Sequence, residues 1–308
     1  MSQPQSAICA EGGAFGIFVT MLLSDGGEAK VKQAAAALPA LTARLAAETQ
    51  DPALVSSLAF GATAWPRLFT APAPKGLAPF QALEAGERKA PATPADLFLH
   101  IHAARPDSAF QLARQAMCAL RGAVTLVEEI NGFRTLGNRD LTGFVDGTEN
   151  PQGDERAEVA LLGEDDPTHA GGSFVSLQRW LHALPRWDSL PIAEQEAAVG
   201  RSKADNEEMD DETKPASAHI ARVVIEEDGE ELELLRHSLP YGNSQECGLY
   251  FVAYAKSPHP FRRMLESMVL GDGQGHYDRL MDFTRPVTGA AFFAPSIPAL
   301  ERLAAEPA

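Results

Sequence analysis

The 308-residue chain is poor in cysteine, in basic side chains and in long apolar runs. Its three cysteines, Cys9, Cys118 and Cys247, are odd in number, far apart and never spaced CxxC. That pattern argues against a disulfide framework and against a thiolate metal site. No stretch approaches the ~20 apolar residues of a membrane-spanning helix. The best candidate, residues 15–23, reads as a buried strand. Lys and Arg total 26 against 42 Asp and Glu, a formal net charge of −16. So acidic a surface repels phosphate backbones and anionic lipid, and neither nucleic acid nor membrane is an expected partner. The first residues, MSQPQSAICAEGG, place no apolar core after a basic segment, so the cytoplasm is the expected location.

What is present is a chain 45% hydrophobic, long enough to bury one large or two ordinary cores. Residues 14–23, 53–60, 96–103 and 123–130 are apolar or β-branched runs that predict strands. Between them, residues 27–49 have helical spacing, with Pro39 expected to kink or split the helix. A second helix is expected over 107–121, with Asp107 as its cap and Phe110, Met117 and Leu120 on one face. The order β-α-β-β-α-β is the ferredoxin-like signature. Residues 172–181, 190–199, 231–238, 248–255 and 259–270 run a similar course. The expected class is therefore α+β: two ferredoxin-like β-α-β halves, residues 1–140 and 141–308, with antiparallel sheets and peripheral helices.

Between the halves, residues 141–168 are rich in Gly, Asp, Glu, Asn and Pro, and a loop that long inside a compact protein is usually functional. An isolated Asp-Gly is most often a surface turn. Here it sits in the nine-residue string GFVDGTENP, residues 143–151. The string resembles the GxxDG signature of the dye-decolorizing peroxidases, and most of the chain supports the likeness. KPASAHIAR (214–222) is similar to the family segment that carries the haem-ligating histidine, which would be His219. LRHSLPYG (235–242) resembles the segment with the distal arginine, which would be Arg236, and GLYF (248–251) the strand lining the distal face. The wording is most like the compact B-type bacterial members. Some relatives dock in protein nanocompartments through a C-terminal tail, which the final ERLAAEPA does not resemble in character.

The resemblance implies haem b (iron protoporphyrin IX), held in the C-terminal half with His219 as axial iron ligand. It implies that H2O2 oxidises the ferric haem to an oxyferryl state, which dyes or phenolic reductants return by one-electron steps. The residue types suit that chemistry. Asp146 can shuttle a proton between the peroxide oxygens, and the permanently cationic Arg236 can stabilise charge as the O–O bond breaks. Leu249 and Phe251 would exclude water, and Gly147 and Asn150 would contact the cofactor, with Lys203 and Arg201 as further propionate partners. The axial imidazole needs an acceptor behind it, for which Asp278 is favoured over Asp282. His237 alternates away from Arg236 on a strand, and neither it nor His276 is an expected ligand. His100 and His102 share one strand face but lack a third ligand nearby. The acidic run 206–212 reads as a solvated loop.

Two other readings use the same residues: a haem carrier or iron-releasing protein, and a chlorite-decomposing haem enzyme. Peroxide-driven spectral change separates the first, and oxygen release from chlorite the second. Which aromatic residue relays electrons, and whether the chain forms a homo-oligomer, stay open at this level.

Overall fold

The computed structural model describes residues 3–163 and 166–305. The first half supplies β1 (Phe15–Leu23), α1 (Glu28–Thr49), β2 (Val55–Gly61), β3 (Leu97–Ala103), α2 (Pro106–Leu120) and β4 (Val124–Phe133). The second supplies β5 (Ser173–His182), α3 (His219–Val223), β6 (Leu235–Arg236), β7 (Leu239–Gly242), β8 (Cys247–Ala255), α4 (His259–Val269), β9 (Thr284–Pro286), β10 (Ala290–Ala294) and α5 (Ile297–Ala305). In the first half the antiparallel order is β4-β1-β3-β2, and in the second it is β7-β8-β5-β10. Both are ferredoxin-like arrangements within an α+β fold.

The two sheets join edge to edge. Phe292 and Phe293 of β10 pair with Gly61 and Phe60 of β2, and Tyr241 of β7 pairs with Gly132 of β4. With β5 also paired to β8, the strands close into a ring with no long open edge between the halves. Period-2 alternation then sends one set of side chains into the ring and the other outward. On β3, Phe98, His100 and His102 belong to the interior, while Leu97, Leu99 and Ile101 pack under α1 and α2. On β8, Tyr250, Val252 and Tyr254 point in, and Leu249 and Phe251 point out toward α4.

Three local expectations are corrected. Helix α1 runs unbroken through Pro39, because its buried face, Val31, Ala35, Leu38, Thr42 and Leu45, is clamped by α2 and α5. That packing offsets the ~3 kcal/mol a mid-helix proline costs. Asp107 is not the cap of α2. Arg105 holds that position, with Pro106 as the first helical residue, and Asp107 pairs with Arg105 from the first turn. Phe110 faces solvent, 58% exposed, and small residues (Ala109, Ala113, Ala116) let α2 approach the sheet closely.

Candidate active site

A large cavity lies outside the strand ring, on the face that the second half covers with helices. Its sheet wall is built from Gln178, Trp180 and His182 of β5, Arg236 of β6, and Leu249 and Phe251 of β8. Gly248 makes that wall tight: a Cβ there would lie 1.8 Å from the Trp180 carbonyl oxygen. Only glycine lets β8 come this close to β5. The helical wall brings His219 and Ile220 from α3, Met264, Leu265 and Met268 from α4, and Leu280 and Phe283 beyond it. The 140–149 segment closes the remaining side with Asp140, Asp146 and Gly147.

His219 begins α3, directly after Ala218, and a buried partner fixes its ring. Nδ1 lies 2.6 Å from Oδ2 of Asp278, which has no exposed surface. Asp278 is itself held: its Oδ1 accepts from the Leu280 N–H, and its own N–H donates to the Met268 carbonyl. A carboxylate behind Nδ1 puts the imidazole proton there and leaves the Nε2 lone pair free. Asp282 instead accepts from the Tyr277 hydroxyl, so it is not the partner of His219.

Asp146 sits at the end of a short paired segment, its N–H on the Asn138 carbonyl and its carbonyl receiving the Asn138 amide. Gly147 then turns with φ of +79°, which a side chain would resist. Enclosure by protein pushes the Asp146 carboxyl up, Arg236 pulls it down, and Asp140 adds a further upward push; the net direction is up. The Arg236 guanidinium has no carboxylate within ion-pair distance among the described residues. Asn150 does not line the cavity. It brackets the Arg236 backbone, accepting from its N–H at 2.8 Å and donating to its carbonyl at 3.0 Å. Asn150 thereby ties the 143–151 loop to the strand carrying Arg236.

Of the expected propionate partners, Arg201 reaches the cavity, paired with Glu149 and Glu208. Lys203 does not; its ammonium donates to Gln195 and its stem covers Gly143. His237 lies inside the ring, its Nε2 donating to the Ile8 carbonyl, and His276 caps a loop turn with Asp272.

The sequence reading missed a second buried pair at the cavity. His182 places Nε2 3.2 Å from Asp140 and Nδ1 2.7 Å from the Thr284 hydroxyl. Burial pushes the Asp140 carboxyl up, but hydrogen bonds from His182 and Thr142 outweigh it and hold it below the ordinary value. Asp140 had at most a signal by proximity, standing one residue before the Gly/Asp-rich stretch that holds Asp146. His182 had none, since only a long-range strand pairing brings it there.

Family models match both halves: the Dyp-type peroxidase N-terminal region over residues 5–134 and its C-terminal region over 137–299. The chain belongs to the Dyp-type peroxidase family. Among Dyp-type relatives, a dye-decolorizing peroxidase of Mycolicibacterium paratuberculosis is 41% identical over 288 residues, 92% of this chain and 81% of that protein. One from Mycobacterium tuberculosis is 40% identical, covering 92% and 86%. A Dyp-type protein of Shewanella oneidensis superposes with a TM-score of 0.95 at 40% identity, covering 98% and 99%. The encapsulated DyP-type peroxidase of Mycobacterium smegmatis gives 0.94 at 40% identity, covering 98% of both chains. A variant of Rhodococcus jostii RHA1 DypB, solved in complex with heme, gives 0.93 at 37%, covering 98% and 99%. This membership makes the chain a peroxidase and supports neither the carrier nor the chlorite reading. Among the described residues, no helix is long and apolar enough to cross a membrane.

Proposed function

We propose that the cavity holds haem b and that the chain reduces H2O2 there while oxidising dyes or phenolic compounds. The single observation behind this reading is His219. Its imidazole is anchored on a fully buried carboxylate and faces a largely apolar cavity whose sheet wall carries an arginine with no ion-paired carboxylate among the described residues. The donor set fits an iron porphyrin. One neutral imidazole with a carboxylate behind it is a peroxidase-type axial ligand. Leu249, Phe251, Met264, Leu265, Met268 and Phe283 offer apolar faces to a macrocycle, and Arg201 offers a propionate a cation at the rim.

Bound haem would supply iron-centred redox chemistry, taking two oxidising equivalents from H2O2. The chain's own groups do the rest. Asp146 accepts the proton of the first peroxide oxygen and returns it to the departing one, directly or through water. Arg236, held at its backbone by Asn150, keeps a fixed positive charge where negative charge develops. Leu249 and Phe251 keep bulk water and large reductants away. An absorption spectrum of the haem-loaded protein, before and after one equivalent of H2O2, tests this. A Soret band that shifts at once and returns on adding a phenol is expected; an unresponsive band contradicts it.

A further inference from the structure

The interior of the strand ring carries a polar cluster that this chemistry does not use. His100 and His102 enter it from β3, Ser57 from β2, Tyr250 and Tyr254 from β8, and His237 from just after β6. Ser57, His100, Tyr250 and Tyr254 are each 0% exposed. Tyr254 Oη lies 2.7 Å from both His100 Nδ1 and Ser57 Oγ. Ser57 Oγ has no other partner among the described residues. Tyr254 Oη can donate to Nδ1 of His100 while accepting from Ser57; His100 then carries its proton on Nε2, which has no hydrogen-bond partner among the described residues. Tyr250 differs: its ring stacks on Phe18 with centroids 4.5 Å apart, but its hydroxyl has no hydrogen-bond partner among the described residues.

The cluster is one strand's thickness from the cavity. Tyr254 follows Ala253, the register partner of Arg236, and lies on the same strand as the cavity-lining Phe251. A phenol losing an electron becomes a very strong acid, so oxidation at ordinary driving force requires a base in contact. Tyr254 has one and Tyr250 does not.

We propose that Tyr254 and His100 form a buried redox pair that stores one oxidising equivalent of the peroxide-treated enzyme. The step balances. Tyr254 gives one electron to the peroxide-oxidised cofactor, its Oη–H bond breaks, and the proton moves to Nδ1 of His100. On return, an electron supplied by the external reductant reaches Tyr254 and the proton goes back to Oη. Burial holds His100 well below ordinary imidazole basicity, with His102 and His237 adding to the effect. The imidazolium is therefore costly, and the pair gives its hole back rather than trapping it. The position suits a reservoir: with no exposed surface, Tyr254 cannot touch a bulky dye.

The inference rests on the haem reading, and the experiment separates the two. Haem-loaded protein is mixed with H2O2 without reductant, frozen, and examined by electron paramagnetic resonance alongside its Soret band. A tyrosyl signal is expected in wild type and in Tyr250→Phe, with loss of at least several-fold in Tyr254→Phe and in His100→Gln. Dye oxidation in Tyr254→Phe should stay within two-fold of wild type, while inactivation by excess peroxide quickens several-fold. Should the variants fold poorly, wild-type protein with 15N-labelled histidine provides the same test by electron–nuclear double resonance. A nitrogen coupling and an exchangeable proton on the radical are expected. A tyrosyl signal at full yield in Tyr254→Phe, no nitrogen coupling, or a responsive Soret band with no tyrosyl signal overturns the pair alone. An unresponsive Soret band overturns the peroxidase reading and the pair with it.

Discussion

Nδ1 of His219 and Oδ2 of Asp278 are 2.6 Å apart, and the carboxylate that anchors this imidazole has no exposed surface. The pair fixes the His219 ring and would make it an electron-rich ligand to the proposed haem. In Asp278→Asn the amide oxygen can still accept from Nδ1, but the negative charge is gone. Haem affinity is expected to fall by ~10–100-fold. The ferric/ferrous potential should rise, because the electron-poor ligand stabilises the ferric ion less. Potentiometric titration of the variant checks this, and an unchanged potential would show that the carboxylate only positions the ring.

Arg236 is a preorganised charge with no ion-paired carboxylate among the described residues, and Asn150 holds its backbone. Removing such a charge costs ~10²–10³ in rate. Arg236→Leu should therefore react with H2O2 that much more slowly in stopped-flow Soret measurements, with haem retained. Asn150→Ala should show a smaller loss in the same direction. Rates within a few-fold of wild type in Arg236→Leu would remove it from the mechanism.

For Asp146 the opposing effects of burial and Arg236 resolve upward. A general base works when deprotonated, so activity rises with pH through its pKa. The acidic limb of peroxide reactivity should thus lie above the ~3.9 of a free aspartate. In Asp146→Asn that limb should vanish or move. The same limb in both proteins would assign the titration elsewhere.

The three ring-interior histidines predict acid sensitivity of the fold. Burial lowers His102 to about 3 and His237 to about 4, and lowers His100 as well. Each is below its unfolded value of ~6.5, so the unfolded chain binds more protons between these limits. Stability is full above the unfolded pKa and declines as pH falls, by up to ~1.4 kcal/mol per pH unit for each such histidine. Urea unfolding at pH 7, 6 and 5 measures the slope, and a flat profile contradicts the account.

The strands were legible because apolar alternation is local, and α1 because its leucines repeat with helical period. The closed ring was not, since the β10–β2 and β7–β4 pairings join residues far apart in sequence and leave no local pattern. The same limit applied to the site. Asp146, His219 and Arg236 each stand in a distinctive string, and the fold brings them to one cavity. Asn150 stands in such a string too, yet its amide went to the Arg236 backbone, which a motif cannot reveal. His182 has no string around it and reaches the cavity only through its strand's position.

The central claim is that His219 is the axial ligand, and His182 supplies a demanding comparison because it lines the same cavity. Both His182 nitrogens are engaged by Asp140 and Thr284, whereas Nε2 of His219 has no partner among the described residues. The direct measurement is the ferric absorption spectrum and haem content of His219→Ala, His182→Ala and His276→Ala after identical haem loading. Loss of most haem, or of the native Soret and ligand-field bands, is predicted for His219→Ala alone. A native spectrum in His219→Ala, or its loss in His182→Ala instead, would contradict the assignment.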